Sequence, residues 1–466
     1  MLDPKVKAYL ESHQPAILEQ LKSLLRIPSI ANVEGGMGGE PCRRAAAWLA
    51  EYLEGLGLRA EAAAVPDGPP CVLAFSDQRP DRPTLLLYGH YDVQPPDPLE
   101  LWQTPPFEPD IREGRIYARG ANDDKGQLFA HLAAVEAWQR AGGRLPVNLK
   151  LIVEGEEEVG SPHLEAFMTA HAARLSADAA VLSDSEFFAP DLPAITYALR
   201  GLVAVELTVE GPAADVHSGV HGGAVRNPIN ALAAIVAALH DERGRVTIPG
   251  FYDEVAPLED AERRQWAKLP FDERQYARSL GLEELSGGEQ GYSLLERRWA
   301  RPTLDCNGIV GGYTGEGAKT IIAARADTKI TMRLVPHQDP QRIIEGLRRF
   351  VADHTPPGIR ASLTVQSSSR AVIVSRDSAA MRAAAAAYEE GFGRRPAMIR
   401  CGASVPVTEV LQRCLHLEAV LMGFGLPDDN LHSPNERFAL SQLWGGAVTA
   451  ASFMQHLAEQ RQGEKV

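Results

Sequence analysis

The chain contains several short, almost continuous apolar runs that are separated by segments with helical spacing. The runs lie at residues 72–75, 84–88, 147–153 and 179–182, and a helix is predicted from Gly126 to Arg140. A run this short and this apolar is typical of a strand that is buried on both faces of a sheet. Because strands alternate with helices, the sequence predicts an α/β domain whose central sheet is covered by helices on both faces.

Both ends of the chain show the same alternating style. Apolar residues recur at helical spacing up to about Arg26, and a second helix is predicted from Pro41 to Leu56. Beyond about Ser375 the predicted elements are a helix at 379–392, strand-like pieces near Met398 and Ala419, and a final helix at 441–460. These segments are therefore expected to complete the first domain.

The pattern changes near Arg200. The predicted elements are a strand at 202–209, a helix at 227–240, a polar stretch at 250–301, strands at 320–324 and 329–335, a helix at 340–351 and a strand at 361–365. Strand, helix, two strands, helix and strand is the split βαβ order of ferredoxin-like α+β modules. We therefore predict a catalytic domain formed by residues 1–199 and 377–466, interrupted by an inserted module at 200–376.

The bulk properties of the chain exclude some classes of partner. A length of 466 residues favours two domains, and a net charge of −14 argues against binding to nucleic acid. The five cysteines are scattered and never paired as CxxC, which suits the reducing cytosol, although one could serve as a soft-metal ligand. The start of the chain lacks an apolar signal core and no run approaches a membrane span, so we predict a cytoplasmic protein without a membrane partner.

Polar, chemically reactive side chains follow the predicted strands. His90 and Asp92 come after the run that ends at Tyr88, and residues two apart in an extended segment project to the same side. Asp92 could therefore orient the His90 ring for a metal, although a buried histidine with a helpful acid is the simpler alternative. The adjacent acids Asp123 and Asp124 repel each other unless a cation is near, but they could also cap the following helix.

Three further segments share this position at a strand end. Glu156, Glu157 and Glu158 follow a core strand, and one could bind a metal while its neighbour acts as a general base; the sequence does not decide which. Asp184 and His432 are individually weak candidates. Strand ends of open α/β sheets line the ligand crevice. Because all five segments lie at such strand ends, the sequence predicts a site for two divalent cations and a hydrolase that uses them.

The motifs at these positions resemble those of the co-catalytic zinc aminopeptidase, carboxypeptidase and deacylase family, which includes carnosinase, cytosolic nonspecific dipeptidase, acetylornithine deacetylase and succinyl-diaminopimelate desuccinylase. The matching motifs are GHYDVQP from Gly89, ARGANDDKGQ from Ala118, EGEEEVGS from Glu154, LSDS from Leu182 and HSPNE from His432. The dipeptidase branch in particular is similar at ADVHSGVHGG from Ala214, GAKT from Gly317, MRLVP from Met332 and SVPVT from Ser404.

The resemblance implies a role for each of these residues. Asp123 would bridge two divalent metal ions, zinc in the first instance, with manganese or cobalt as alternatives. His90 and Asp184 would complete one metal site, and Glu158 and His432 the other. Glu157 would be the general base, and Asp92 would orient His90.

The resemblance also implies the substrate and the role of the inserted module. That module would be a lid and dimerisation domain, giving a homodimer in which His217 reaches the cleft of the partner subunit. Thr320, Arg333 and Ser404 would hold the carboxylate end of a dipeptide or short peptide. An N-acyl amino acid is the alternative substrate, and a non-catalytic binding protein is disfavoured because every chemical position is filled.

Two residues depart from the family pattern. Ala403 stands where relatives usually have glycine before the serine, and His221 stands where an aromatic residue is more common. Neither is a predicted metal ligand, so we expect these departures to affect side-chain preference alone.

Overall fold

The computed structural model describes residues 1–33 and 36–463, which form two compact units. The first unit comprises Met1–Tyr197, Val374–Ile399 and the described chain from Pro406 onward, and the second comprises Ala198–Ile373 and Arg400–Val405. The sequence predicts residues 400–405 to belong to the second part of the catalytic domain, whereas the structure groups them with the inserted unit.

The first half of the chain supplies most of the first unit. Its elements are α1 (Pro4–Ser12), α2 (Gln14–Leu25), β1 (Asn32–Val33), β2 (Gly36–Met37), α3 (Glu40–Gly55), β3 (Arg59–Ala63), β4 (Cys71–Phe75), β5 (Thr84–His90), β6 (Asp110–Arg112), β7 (Arg115–Tyr117), α4 (Lys125–Ala137), β8 (Asn148–Glu154), α5 (Leu164–Ala170), α6 (Ala172–Leu175), β9 (Ala179–Leu182) and β10 (Ala194–Leu199). Single 3₁₀ turns lie at Leu99–Leu101 and Glu157–Val159, and a π-helical turn at Trp138–Gly142 extends α4.

The helical pattern that runs to Arg26 is broken in the structure. One helix ends at Ser12 and the next begins at Gln14, with Pro15 in its first turn. Proline has no backbone N–H to donate to the preceding turn, so it is tolerated at the start of a helix and not in its interior. The apolar spacing continues across the break because both helices bury one face.

The inserted unit and the remainder of the chain complete the list of elements. The insertion contains β11 (Gly201–Glu210), β12 (Val216–His217), α7 (Ser218–His221), α8 (Pro228–Ala238), α9 (Asp260–Trp266), α10 (Glu273–Ser279), α11 (Leu294–Trp299), β13 (Thr303–Gly311), β14 (Ile321–Ile322), β15 (Arg325–Leu334), α12 (Pro340–His354), β16 (Arg360–Ser369) and β17 (Val372–Ile373). After it come α13 (Ala379–Phe392), β18 (Ala397–Cys401), α14 (Pro406–Leu415), β19 (Ala419–Met422), β20 (Arg437–Ala439) and α15 (Leu440–Gly463).

The central sheet positions the candidate site. Within the described residues its strand order is β17-β10-β19-β9-β5-β8-β4-β3, and β18 pairs with β10. Strand β5 is parallel to β8 and β9, and β9 is parallel to β19, whereas β4 and β10 run antiparallel to their neighbours. The predicted α/β architecture is therefore confirmed, with a mixed sheet. The carboxyl ends of β5, β8 and β9 lie at one edge, which is where a ligand crevice forms in such sheets.

The second unit contains an antiparallel sheet of order β13-β15-β11-β16. Every second residue of β11 is buried, and Val203, Val205 and Leu207 pack in one core with residues of α8 and α12. This is the period expected of a strand with one covered face. Gly201 pairs with Leu334, which fixes the register of β11 against β15.

Two strand predictions in this unit were wrong. The strand predicted at 320–324 is the two-residue β14, which pairs with β12 instead of joining the larger sheet. The longer strand β13, which begins just after the polar stretch, was not predicted. As an edge strand whose residues 305–310 are exposed, it carries no alternation of buried and exposed residues that a sequence pattern could reveal.

Within the described ranges, no helix combines the length and the apolar composition that crossing a membrane requires.

Candidate metal and active site

Asp123 lies between two histidines in the first unit. Its Oδ1 atom is 3.1 Å from His90 Nε2, and its Oδ2 atom is 2.8 Å from His432 Nε2. His432 Nε2 is also 3.3 Å from Glu158 Oε2. Two histidines from separate parts of the chain therefore meet at one carboxylate, one at each of its oxygens, which is the arrangement that a bridging metal ligand requires.

The donor atoms form two adjoining groups. His90, Glu157 and Asp184 each offer one ligand atom to the first group, and Asp123, Glu158 and His432 offer one each to the second. Within each group these atoms lie within 4.8 Å of one another. The structure thus brings together all five residues to which the resemblance gives a ligand role, and it places Glu157 beside the His90–Asp184 pair.

Asp92 connects His90 to the turn that carries the glutamates. Its Oδ1 atom is 3.3 Å from His90 Nδ1 and accepts a hydrogen bond from the Glu157 backbone N–H at 3.2 Å. Its Oδ2 atom accepts one from the Glu158 N–H at 3.0 Å. Asp92 is fully buried, so it holds the imidazole and the 3₁₀ turn in a fixed relation.

Asp124 does not cap the helix that it precedes. It stands at the N-cap of α4, but its side chain makes no capping hydrogen bond. Its Oδ2 atom instead accepts a hydrogen bond from the backbone N–H of His90 at 3.2 Å. The two adjacent acids thus have different partners: Asp123 faces the histidines, and Asp124 binds the backbone at the end of β5.

The charges in this cluster are poorly balanced by protein groups. Burial raises the pKa of Glu158 to about 7, with help from the charge of Asp123. Burial and the same charge raise the pKa of Asp184 to about 6. Burial also raises the pKa of Glu157 well above its usual range. Carboxyl groups in this condition are stabilised as anions by a nearby cation.

The histidines respond in the opposite sense. Burial alone would lower the pKa of His90, but the Asp123 and Asp92 carboxylates raise it well above its usual value. Burial would likewise raise the pKa of Asp123, but His432 and His90 lower it. The hydrogen bond to Asp123 raises the pKa of His432. The shifts of all three groups favour positive charge on the two imidazoles and negative charge on the Asp123 carboxylate between them.

The residues present fit divalent metal ions. Imidazole nitrogens and carboxylate oxygens are the ligands that zinc, manganese and cobalt accept. His90 Nε2 is buried and, among the described residues, makes no hydrogen bond of acceptable geometry, although Asp123 is close to it. A divalent cation could take the place of a proton at this nitrogen, next to the Asp123 carboxylate. Gln94 also supports the group, because its side-chain amide donates to Glu158 Oε2 at 2.8 Å.

The remaining predicted site residues lie in the second unit. Arg333 Nη1 donates to Ser404 Oγ at 2.8 Å, and Ser404 in turn donates to the backbone carbonyl of Arg200. The exposed His217 accepts a hydrogen bond from the Gly219 N–H at its Nδ1 atom. The next residue, Ser218, donates its backbone N–H to the carbonyl of Thr320. The structure thus pairs Arg333 with Ser404, and it places the His217 segment against that of Thr320.

The most extensive interaction that sequence reasoning missed involves Glu436. This buried carboxylate accepts hydrogen bonds from the loop that carries Asp123. Its position in the HSPNE motif, four residues after His432, was the available signal. Of the two departures, Ala403 accepts a backbone hydrogen bond from Arg200, and His221 ends α7.

Carboxylates and histidines that converge beside the carboxyl ends of parallel strands are typical of a metal-dependent hydrolase. Comparison with known proteins identifies the family. Residues 86–456 match the profile described as Peptidase family M20/M25/M40. The chain belongs to this family and is a metallopeptidase, a class that uses divalent metal ions.

Individual relatives lie in the dipeptidase branch. The chain is 32% identical over 470 residues to the human Beta-Ala-His dipeptidase, covering 98% of this chain and 92% of the relative. It is 34% identical over 400 residues to the Cys-Gly metallodipeptidase dug1 of Schizosaccharomyces pombe, covering 84% and 83%. The solved M20 family metallo-carboxypeptidase Sso-CP2 from Sulfolobus solfataricus superimposes with a TM-score of 0.82 at 33% identity, covering 95% of this chain and 99% of that one.

Proposed function

We propose that this protein hydrolyses the amide bond of dipeptides and short peptides that carry a free C-terminal carboxylate. The observation that carries the proposal is the position of Asp123 between His90 and His432, with Glu157 and Glu158 beside them. The printed activities of the relatives, Beta-Ala-His and Cys-Gly dipeptide hydrolysis, support the same substrate class.

Five residues would hold two divalent ions, with zinc as the native metal. Asp123 would be shared, His90 and Asp184 would complete one site, and Glu158 and His432 the other. Divalent ions held by these residues would polarise a substrate carbonyl and would lower the pKa of water from about 15.7 to about 7. The donor set also accepts manganese and cobalt, so metal supply influences which ion is bound.

Glu157 is the general base in this proposal. It takes a proton from the attacking water and later delivers that proton to the nitrogen of the departing amine. Asp92 fixes the backbone N–H groups of Glu157 and Glu158, so the base and its liganding neighbour keep different directions. This contact supports the division of roles between two adjacent glutamates.

Residues of the inserted unit bind the rest of the substrate. Arg333 and Ser404 hold the C-terminal carboxylate, because a guanidinium fork can donate to both carboxylate oxygens and the serine steadies one arm of that fork. Thr320 donates to the same end of the substrate. His217 donates to the oxyanion that forms when water attacks the carbonyl.

The inserted unit also serves as a lid and forms a homodimer, in which His217 acts in the cleft of the partner subunit. Strand β13 supports this part of the proposal, because it lies at the edge of its sheet and leaves Ile309 and Val310 60% and 58% exposed. An uncovered apolar edge strand is a ready surface for pairing with a second chain. The free thiols of the chain suit a cytoplasmic location.

A metal count paired with a substrate panel tests the proposal. Protein loaded separately with zinc, manganese or cobalt is assayed on dipeptides, on the same dipeptides with an amidated C-terminus, and on N-acyl amino acids. We expect two ions per chain and turnover of the free dipeptides. Turnover of N-acyl amino acids alone would assign the activity to a deacylase, and protein that binds no divalent ion would refute the mechanism.

A further inference from the structure

Glu436 accepts hydrogen bonds along the whole loop that leads to Asp123. Its Oε2 atom accepts from Arg119 Nη1 at 2.8 Å and from the Gly120 backbone N–H at 2.9 Å. Its Oε1 atom accepts from the N–H groups of Asn122 at 2.9 Å and Asp123 at 3.1 Å. The carboxylate is fully buried, so these donors stand in for the water that it has lost.

The strand pairing explains why Glu436 reaches this loop. Strands β7 and β20 are antiparallel, with Tyr117 opposite Arg437. The segment that leaves β7 therefore lies beside the segment that enters β20, and the Ala118 N–H donates to the Glu436 carbonyl at 3.2 Å. His432 is on this second segment. One pairing thus brings both Glu436 and His432 to the Asp123 loop.

A second set of buried contacts holds the same loop by a side chain. Asn122 Nδ2 donates to Asp429 Oδ2 at 2.9 Å, and Asn122 Oδ1 accepts from Gln127 Nε2 at 2.7 Å. Asp429 also accepts from the Leu426 N–H, and Gln127 Oε1 accepts from the Phe424 N–H, each at 2.7 Å. The loop before Asp123 is therefore tied to the loop before His432 at two places.

We propose that Glu436 is a positioning residue for the metal centre. By holding the N–H groups of Gly120, Asn122 and Asp123, it sets the direction of the Asp123 carboxylate between His90 and His432 before any cation binds. The inference rests on the proposed metal-dependent function. It goes beyond that function because Glu436 touches neither a metal ligand's donor atom nor the substrate.

The pattern of donors separates this role from that of a structural ion pair. A carboxylate that served only to neutralise Arg119 would need one or two contacts with the guanidinium. Three of the four donors to Glu436 are instead consecutive or nearly consecutive backbone N–H groups, and the last belongs to the central ligand. Residues that orient metal ligands in this way contribute about 10- to 100-fold to metal affinity or activity when they are changed.

The test compares Glu436→Gln with a matched control, Glu289→Gln. The variant keeps the shape of the side chain, but its amide group turns a donor toward groups that are themselves donors. Glu289 is a buried carboxylate of the second unit that accepts from Arg245 and Arg301, so its substitution also disrupts a buried ion pair. Zinc and cobalt affinities are measured by chelator competition at a temperature at which all three proteins are folded, and the visible spectrum of the cobalt forms is recorded.

We expect Glu436→Gln to weaken metal affinity by about 10- to 100-fold, to alter the cobalt spectrum and to lower kcat. Glu289→Gln should lose thermal stability and keep wild-type affinity and spectrum. Unchanged affinity and spectrum in Glu436→Gln would overturn the inference and leave the proposed function intact. Wild-type protein that binds no metal would instead refute the proposed function itself.

Hydrogen exchange in the metal-free wild-type protein supplies a test that needs no variant. The peptide that contains residues 120–123 should exchange as slowly as the buried strand β5, because the amides of Gly120, Asn122 and Asp123 donate to Glu436 and that of Ala121 donates to the Ala118 carbonyl. Exchange at the rate of an open loop would show that the hydrogen bonds to Glu436 are not formed before metal binds. That result would overturn the inference even if Glu436→Gln failed to fold.

Discussion

Replacing Asp92 with asparagine should weaken metal binding more than it weakens the fold. Asp92 is fully buried and serves three groups, the His90 ring and the backbone N–H groups of Glu157 and Glu158. Asparagine has one acceptor oxygen where aspartate has two. If that oxygen remains with His90 and Glu157, its amide group faces the Glu158 N–H, and two donors then oppose each other.

The magnitude follows from the contacts that are lost. Leaving one buried N–H without an acceptor costs about 1–3 kcal/mol. Relief of this conflict moves the turn or the His90 ring away from the position that a metal requires. Since each 1.4 kcal/mol is a factor of ten in a binding constant, we expect metal affinity and kcat/KM to fall by about 10- to 100-fold.

The assay is chelator-competition titration of zinc on folded protein, with thermal unfolding of the metal-free form measured in parallel. Asn148→Asp is the matched control, because Asn148 is a buried residue at the other end of β8 whose amide donates to the carbonyls of Arg79 and Arg82. This control should lose comparable stability and retain wild-type metal affinity. Equal metal affinities for Asp92→Asn and wild type would refute the orienting role of Asp92. An equal loss of metal affinity in Asn148→Asp would show that the effect of Asp92→Asn comes from lower stability and not from orientation of His90.

Three further outcomes are expected from the site. Glu157→Gln should bind metal as the wild type does while hydrolysis falls at least a thousandfold; turnover within tenfold of wild type would remove the base assignment. Arg333→Met should raise KM for free dipeptides by roughly 10- to 100-fold and leave amidated dipeptides unaffected, so an equal effect on both would exclude carboxylate recognition. Burial raises the pKa of Glu158 to about 7 and of Asp184 to about 6, above their unfolded values of about 4. The folded metal-free chain then holds more protons than the unfolded chain between about pH 4 and 7, so its stability falls as pH rises through that window. The increase in Tm on adding zinc should therefore be larger at pH 8 than at pH 5.5, and equal increases would contradict this account.

Elements with a continuous apolar run could be predicted from the sequence. The core strands β5, β8 and β9 consist of residues that are almost all buried, so their apolar runs mark them directly. Strand β13 could not be found in this way, because an exposed edge strand can carry any side chain that solvent tolerates. The break at His13 was missed because apolar spacing outweighed Pro15.

The residues of the candidate site also differ in how well the sequence pattern predicts them. His90, Glu158 and Asp184 follow core strands, so their convergence could be inferred from the parallel order of a sheet. His432 comes ten residues after the buried strand β19, so its position at a strand end was a weak signal and the family motif was the stronger one. The contacts of Glu436 depend on the pairing of β7 with β20, two strands of three residues each, which no local pattern in the sequence predicts.

Different parts of the fold position the residues of the candidate site. His90, Asp184 and the glutamates are fixed by the central sheet itself, whereas Asp123 and His432 are fixed relative to each other by the β7–β20 pairing and the Glu436 contacts. The Asp123 carboxylate thus belongs to a small local assembly, which the adjacent Asp124 ties to the end of β5 through the His90 N–H. A metal ion that binds Asp123 and His90 together gains affinity only if that assembly is already formed, since otherwise binding must supply the free energy to order it. The buried hydrogen bonds of the two loops supply that order in the metal-free chain, which is why a residue that touches no ligand atom can control metal affinity.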